Sequence, residues 1–220
     1  MSRAVLNRLP AANDDISRRV AADLRRILAR IDLDNPVSAR AALFELVPPL
    51  IERWGDVSAT AAAEWFEGFR AANGLPGPFR SVLAPPLPIE QVNARIGFAT
   101  REAGHLFTGQ TSEFADFMLL IANEYSLAPG HNTVWNNSAR DGAAFARVPE
   151  PGACDFCLML ASRGFVYSRG TVDQTQGADG EMTRFHGGCR CHAMPVWEET
   201  RARVEYGYDP EKLLAERQGA

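Results

Sequence analysis

Val57-Ser58-Ala59-Thr60-Ala61-Ala62-Ala63-Glu64-Trp65-Phe66-Glu67-Gly68-Phe69-Arg70-Ala71-Ala72 carries the clearest helical pattern of this 220-residue chain. Ala61, Trp65, Phe66 and Phe69 recur at helical spacing, and Asn73-Gly74 supplies a stop, because glycine takes the left-handed turn that ends helices. A stripe this rich in large rings is core, so the helix has to pack against others.

The same period extends outward in both directions. Upstream, Asn35-Pro36 reads as a cap with proline in the first turn, opening a helix that Pro48-Pro49 must end or kink because proline donates no amide hydrogen. Further upstream, Asn13 or Asp14 caps a helix whose apolar face is Ile16, Val20, Leu24, Ile27, Leu28 and Ile31. Downstream, residues 74–88 hold five prolines and two glycines and read as an extended connection with Leu75, Phe79, Val82 and Leu83 available to dock. Pro88 to Phe107 is again helical through Ile89, Val92, Ile96 and Ala99. Thr111 or Ser112 restarts the pattern through Phe114, Phe117, Met118, Ile121 and Ala122, and Pro129-Gly130 is expected to break it. A last helix, Asn132 to Phe145, stops before Val148-Pro149; no strand alternation precedes residue 150. The expected fold is mainly α: a helical N-terminal domain over 1–147, a small α+β zinc-binding module over 148–197 and a helical tail over 198–220.

Charge divides the chain further. The total is 27 Asp+Glu against 23 Lys+Arg, a net charge of -4, which argues against a protein that coats nucleic acid. Residues 1–30 nevertheless hold seven Arg against three Asp, while residues 31–150 hold eight basic and fourteen acidic groups. Arg18, Arg19, Arg25 and Arg26 form a basic helix face that suits DNA, an anionic membrane, an acidic partner or plain solvation. No apolar run reaches the roughly 18 residues of a membrane span, and the N-terminus has no signal-peptide core, so a soluble, unexported chain is expected.

All four cysteines lie between Cys154 and Cys191. Cys154-Asp155-Phe156-Cys157 is a C-x2-C pair, and after 28 residues come His186, Cys189, Cys191 and His192. A tight turn or helix start aims both sulfurs of such a pair at one point, as tetrahedral zinc requires. Residues 158–161 continue as a helix, whose N-terminus favours thiolate. Cys189 and Cys191 would share one face of a strand, with Gly187-Gly188 letting His186 approach, while His192 would face away. Cys154 and Cys157 are the firmest ligands, with two more drawn from His186, Cys189 and Cys191. The spacing favours structural zinc over one or two disulfides or reduced thiols. Asp141 and Arg147, on either side of Phe145, are candidates to tie the last helix to this region. His105 and His131 sit near expected helix ends, and Trp135 and Trp197 read as packing residues.

Catalytic patterns are absent from the sequence. The nucleobase-deaminase signature pairs H-x-E with P-C-x2-C, and neither His105-Leu106-Phe107 nor His131-Asn132-Thr133 supplies the Glu. There is no HExxH, GxSxG, P-loop or dinucleotide glycine motif.

Arg147-Val148-Pro149, the run from Gly152 to Gly164, Val166-Tyr167, Phe185-His186-Gly187-Gly188-Cys189-Arg190-Cys191 and Pro195-Val196 together resemble the Mu F-like minor capsid (head morphogenesis) proteins of actinobacterial tailed phages. Trp65 to Arg70 is similar to the same family. The resemblance implies a non-enzymatic virion component inside the head at the portal vertex, passing through the host cytoplasm during assembly and assisting head assembly, DNA packaging or ejection. It implies a portal-protein partner, with major capsid or scaffold protein and packaged DNA as further contacts and no membrane. The family's Cys/Cys and His/Cys/Cys positions fall on Cys154, Cys157, His186, Cys189 and Cys191. Rival readings are a zinc-dependent enzyme or toxin, which needs an open metal position, and a zinc-stabilised nucleic-acid adaptor. The neutral balance over 151–196, four basic against four acidic groups, weighs against the adaptor.

Overall fold

In the computed structural model, residues 3–149, 153, 155–165 and 191–218 are described. They are mainly helical, with one small antiparallel sheet. The elements are α1 (Arg3–Leu6), α2 (Arg8–Leu28), α3 (Pro36–Ala72), α4 (Ile89–Ala99), α5 (Thr111–Arg140), β1 (Ala144–Pro149), α6 (Asp155–Ala161), β2 (Cys191–Val196), α7 (Glu199–Tyr206) and α8 (Pro210–Gln218).

Helix α2 begins before the expected caps at Asn13 and Asp14, since Pro10 falls in its first turn, where no amide partner is needed. Its buried face is Leu9, Ile16, Val20, Leu24 and Leu28. At the start of α3 the Asn35 side chain accepts from the Ser38 amide at 3.2 Å, with Pro36 in the first turn, as the sequence predicts. Pro48-Pro49 does not end the helix. Leu43, Val47, Leu50, Ile51 and Trp54 are buried on both sides of the pair, so packing along one face outweighs the lost amide donors. Pro49 faces outward, where water can reach the carbonyls left without donors.

Helix α5 likewise runs through Pro129-Gly130, and the reason lies in α3. A Cβ on Gly130 would stand 2.2 Å from Ser58 Oγ and 2.9 Å from the Ser58 carbonyl oxygen, and one on Gly55 would stand 3.0 Å from Pro129 Cγ. The two glycines let α3 and α5 touch backbone to backbone. Ser58 Oγ donates to the Leu127 carbonyl at 3.4 Å and Thr133 Oγ1 to the Pro129 carbonyl at 2.8 Å, binding carbonyls around the proline.

These contacts, with Arg70 meeting Asp141, show α3 and α5 running parallel. Parallel neighbours need a long return, and the proline-rich segment provides it. Asn137 clasps Val82 through both amide groups, accepting from its N–H at 2.9 Å and donating to its carbonyl at 2.8 Å. Thr133 Oγ1 takes the Ala84 N–H and Glu67 the Ser81 N–H, so the segment runs back between the two helices, antiparallel to both. Helix α4 follows. It stops at Ala99, short of the expected Phe107, and residues 101–109 turn repeatedly instead.

The region after α5 departs most from expectation. The helix ends at Arg140, and Ala144–Pro149 is a strand paired antiparallel with β2, Ala144 opposite Val196 and Pro149 opposite Cys191. Phe145, Ala146 and Arg147 are consecutively buried, so both faces of β1 are covered and no polar alternation marks it in the sequence. The strand candidate at Phe165-Val166-Tyr167 lies, from Val166 on, outside the described residues.

Two apolar cores result. The first joins α2, α4 and the first halves of α3 and α5. The second gathers Leu6, Leu9, Trp65, Phe66, Phe69, Val134, Phe145, Leu160, Met194, Val196, Tyr206 and Tyr208, so residues 199–208 pack into the body of the protein.

Candidate metal region and the seam beneath it

Cys157 is the third residue of α6 and is fully buried, sharing with Leu160 and Ala161 the i, i+3, i+4 stripe that packs the helix against β1. Cys191 opens β2 opposite Pro149, the last residue of β1, and α6 begins six positions after Pro149. Helix α6 packs on β1 and on α8. Cys154, His186 and Cys189 lie outside the described residues, as does most of the segment joining α6 to β2. Among the described residues no three His, Cys, Asp or Glu side chains gather where they could hold a metal.

His192 follows Cys191 and is buried, as are Met194 and Val196, the alternate residues of β2. His131 is not at a helix end, as the sequence predicts, but mid-way along α5 and buried. Burial above all, then the electrostatic influence of Arg147 and of His192, hold its imidazole down to a pKa of about 3, so it is neutral at ordinary pH. Arg147 is buried too, on β1. His105, in the turns after α4, keeps a local role: its Nδ1 lies 2.6 Å from Gln110 Oε1.

Asp141 does tie the helical body to the sheet region, through partners other than Arg147. Its Oδ2 accepts from Arg70 Nε and from Trp197 Nε1, both at 2.9 Å. Arg70 and Asp141 are only 12% and 11% exposed, so the pair is poorly screened. The remaining Arg70 nitrogens hold the carbonyls of Leu75, Pro76 and Gly77, and Arg70 and Arg140 each sit 5.2 Å from the Phe79 ring centre. Trp197 packs on Phe66 and Phe69, while Trp135 meets Phe145 edge-on at 4.4 Å. One carboxylate thus links α3, the return segment, the end of α5 and the residue after β2. Arg70 gave no sequence signal of this beyond its place at the end of a helix, since its partner is 71 positions away.

On α2 the basic face is laced with acid. Arg18 and Arg19 pair with Asp15 at 3.2 and 2.7 Å, and Arg26 pairs with Asp23 at 2.6 Å. Arg19 first, with Arg18, pulls the Asp15 carboxyl below its usual range. Asp23 also receives Trp54 Nε1 and lies 3.8 Å from Arg53.

Residues 1–219 match the VG15 protein family. The chain belongs to that family, one of phage proteins. For this VG15 protein no curated protein and no solved structure matches. Among the described residues no helix is long and apolar enough to cross a membrane.

Proposed function

We propose that this VG15 protein is a minor capsid (head morphogenesis) protein of a tailed phage, acting without catalysis inside the head at the portal vertex. The observation that carries the phage setting is the family match over residues 1–219. The finer assignment rests on the Cys154/Cys157 and His186/Cys189/Cys191 spacing and its resemblance to Mu F-like proteins.

In this reading the C-terminal module is tied by structural zinc held by Cys154, Cys157 and two of His186, Cys189 and Cys191. Such binding is worth on the order of 10–16 kcal/mol in small modules, enough to link two stretches of chain about 30 residues apart. The helical body meets the portal protein, with major capsid or scaffold protein as a second contact. Arg18, Arg19, Arg25 and Arg26 face packaged DNA or an acidic portal surface; Asp15 and Asp23 lower the net charge of that face and favour a patterned protein partner over a bare phosphate backbone.

Co-expression with the portal protein of the same phage tests this, with metal analysis and thiol titration on the purified complex. About one zinc per chain and co-sedimentation with portal particles are expected. No portal association together with no zinc would overturn the reading.

A further inference from the structure

Phe98 lies at the end of α4 and is 49% exposed, although it belongs to an ordered cluster. Its ring tilts against Phe117 of α5 at 6.1 Å, and one turn further along α5 Leu120 is 45% exposed. The Arg95 guanidinium stands 5.7 Å from both ring centres, and that of Arg101 lies 4.0 Å from Phe98 and donates to its carbonyl at 2.6 Å. Phe44 of α3 supports this from behind, its Cζ 3.7 Å from where a Cβ on Gly97 would be.

A single exposed phenylalanine is ordinary; two rings and a leucine framed by two guanidiniums within cation–π distance are not. Stacking uses the flat face of a guanidinium and leaves its N–H edge outward, the geometry that grips a carboxylate with two parallel hydrogen bonds. Glu102, Glu113 and Asp116 lie nearby in the chain and are exposed, yet among the described residues neither Arg95 nor Arg101 forms an ion pair with any carboxylate. Arg101 uses one N–H on the Phe98 carbonyl, and no carboxylate occupies the remaining donors of either guanidinium. The same three carboxylates disfavour a continuous phosphate backbone, whereas a partner with discrete carboxylates can place them at the two arginines alone.

We infer that Arg95, Phe98, Arg101, Phe117 and Leu120 form a docking surface for an acidic amphipathic helix of another protein. Its apolar side chains cover Phe98 and Leu120, and carboxylates one turn apart engage Arg95 and Arg101. Aromatic and arginine side chains of this kind dominate the energetics of protein interfaces. The inference does not depend on the portal assignment.

The test titrates the full chain with a synthetic helical peptide bearing Leu at i, i+3, i+4 and i+7 and Glu on the flanking positions. A peptide of the same composition in scrambled order and a single-stranded oligonucleotide of equal charge serve as comparisons. Saturable binding of the patterned peptide alone is expected, weakened about tenfold or more by Phe98→Ala and by Arg95→Glu with Arg101→Glu. A peptide with Arg replacing Glu should bind that double variant better than the native chain. These side chains are exposed or half-buried, and unchanged thermal unfolding of the variants separates lost docking from lost folding. Equal binding of patterned and scrambled peptides, stronger binding of the oligonucleotide, indifference to the substitutions, or absence of charge-swap rescue would each overturn the assignment.

Discussion

The two cores are built on different principles. The first is largely aliphatic, with Ile16, Val20, Leu24, Leu43, Val47, Ile96, Met118 and Ile121 drawn from helices that meet along their own periodic stripes. The second is richer in rings, with Trp65, Phe66, Phe69, Phe145, Tyr206 and Tyr208 drawn from segments more than 130 positions apart. It also carries the polar ties: Asp141 with Arg70 and Trp197, Tyr206 Oη donating to Asn73 Oδ1 at 3.1 Å, and Tyr208 Oη donating to the Ala161 carbonyl. The first core spans residues 16–127 and the second residues 6–208, so the second closes the longer loops, and its rings and directional bonds help to offset that cost.

The sharpest way to break this contrast is Phe66→Ala. Phe66 is fully buried and touches Phe79 and Trp197, so a loss of about 3–5 kcal/mol is expected by denaturant unfolding. Hydrogen exchange should show β1, β2 and α7 losing protection before α2. Equal loss in α2 would mean that the two cores unfold as one unit.

Gly130→Ala probes the close crossing of α3 and α5 that spans both cores. Ser58 Oγ can rotate away from the new methyl but the Ser58 carbonyl cannot, and a cost of about 2–3 kcal/mol is expected. Ser58→Ala should relieve only part of it. A Gly130→Ala protein as stable as the native one would remove close approach as the reason for this glycine.

Asp141→Asn leaves Arg70 poorly screened and without its carboxylate, at a cost of about 2 kcal/mol, while the carbonyls of 75–77 still hold the guanidinium. Exchange should rise in residues 74–84 and near Trp197, and not in α2. Uniform loosening would contradict the account of Asp141 as a local tie.

His131 sharpens the contrast by pH. Its folded pKa is depressed, so below the unfolded value near 6.5 the unfolded chain binds a proton that the folded chain refuses, and stability falls as pH drops toward about 3. At pH 5 this amounts to about 2 kcal/mol relative to pH 7. His131→Gln should flatten that part of the stability-against-pH curve; an unchanged slope would mean that His131 is not the group responsible.

Helix stripes, the Asn35 cap and the extended return segment were legible in the sequence because they depend on neighbours three or four positions away or on proline and glycine chemistry; that Val82 and Leu83 stay exposed while Asn137, Thr133 and Glu67 hold the segment's backbone was not. Continuity through Pro48-Pro49 and Pro129-Gly130 was not legible. Local rules read those pairs as stops, and only burial of Leu43 to Trp54 and the fit of Gly130 against Ser58 reverse them. Strand β1 was hidden for the opposite reason: covered on both faces, it shows no polar alternation to detect. The spacing of the cysteines marked a candidate site, and Asp141 was legible as a tie but with Arg147 as its partner; the burial of His131 and the true Asp141 partners, Arg70 and Trp197, were not legible because they depend on other elements.

By itself, then, the sequence determined a mainly helical chain, the residues that face inward along most helices, the placement of its charge and the clustering of its cysteines. Each follows from side-chain chemistry read over a few turns. Tertiary structure alone decided that two pairs of helix breakers would be bridged, that α3 and α5 run parallel with the return segment between them, and that the second core joins both ends of the chain. Those outcomes rest on contacts between residues tens of positions apart, where the burial gained by packing exceeds what any local preference costs.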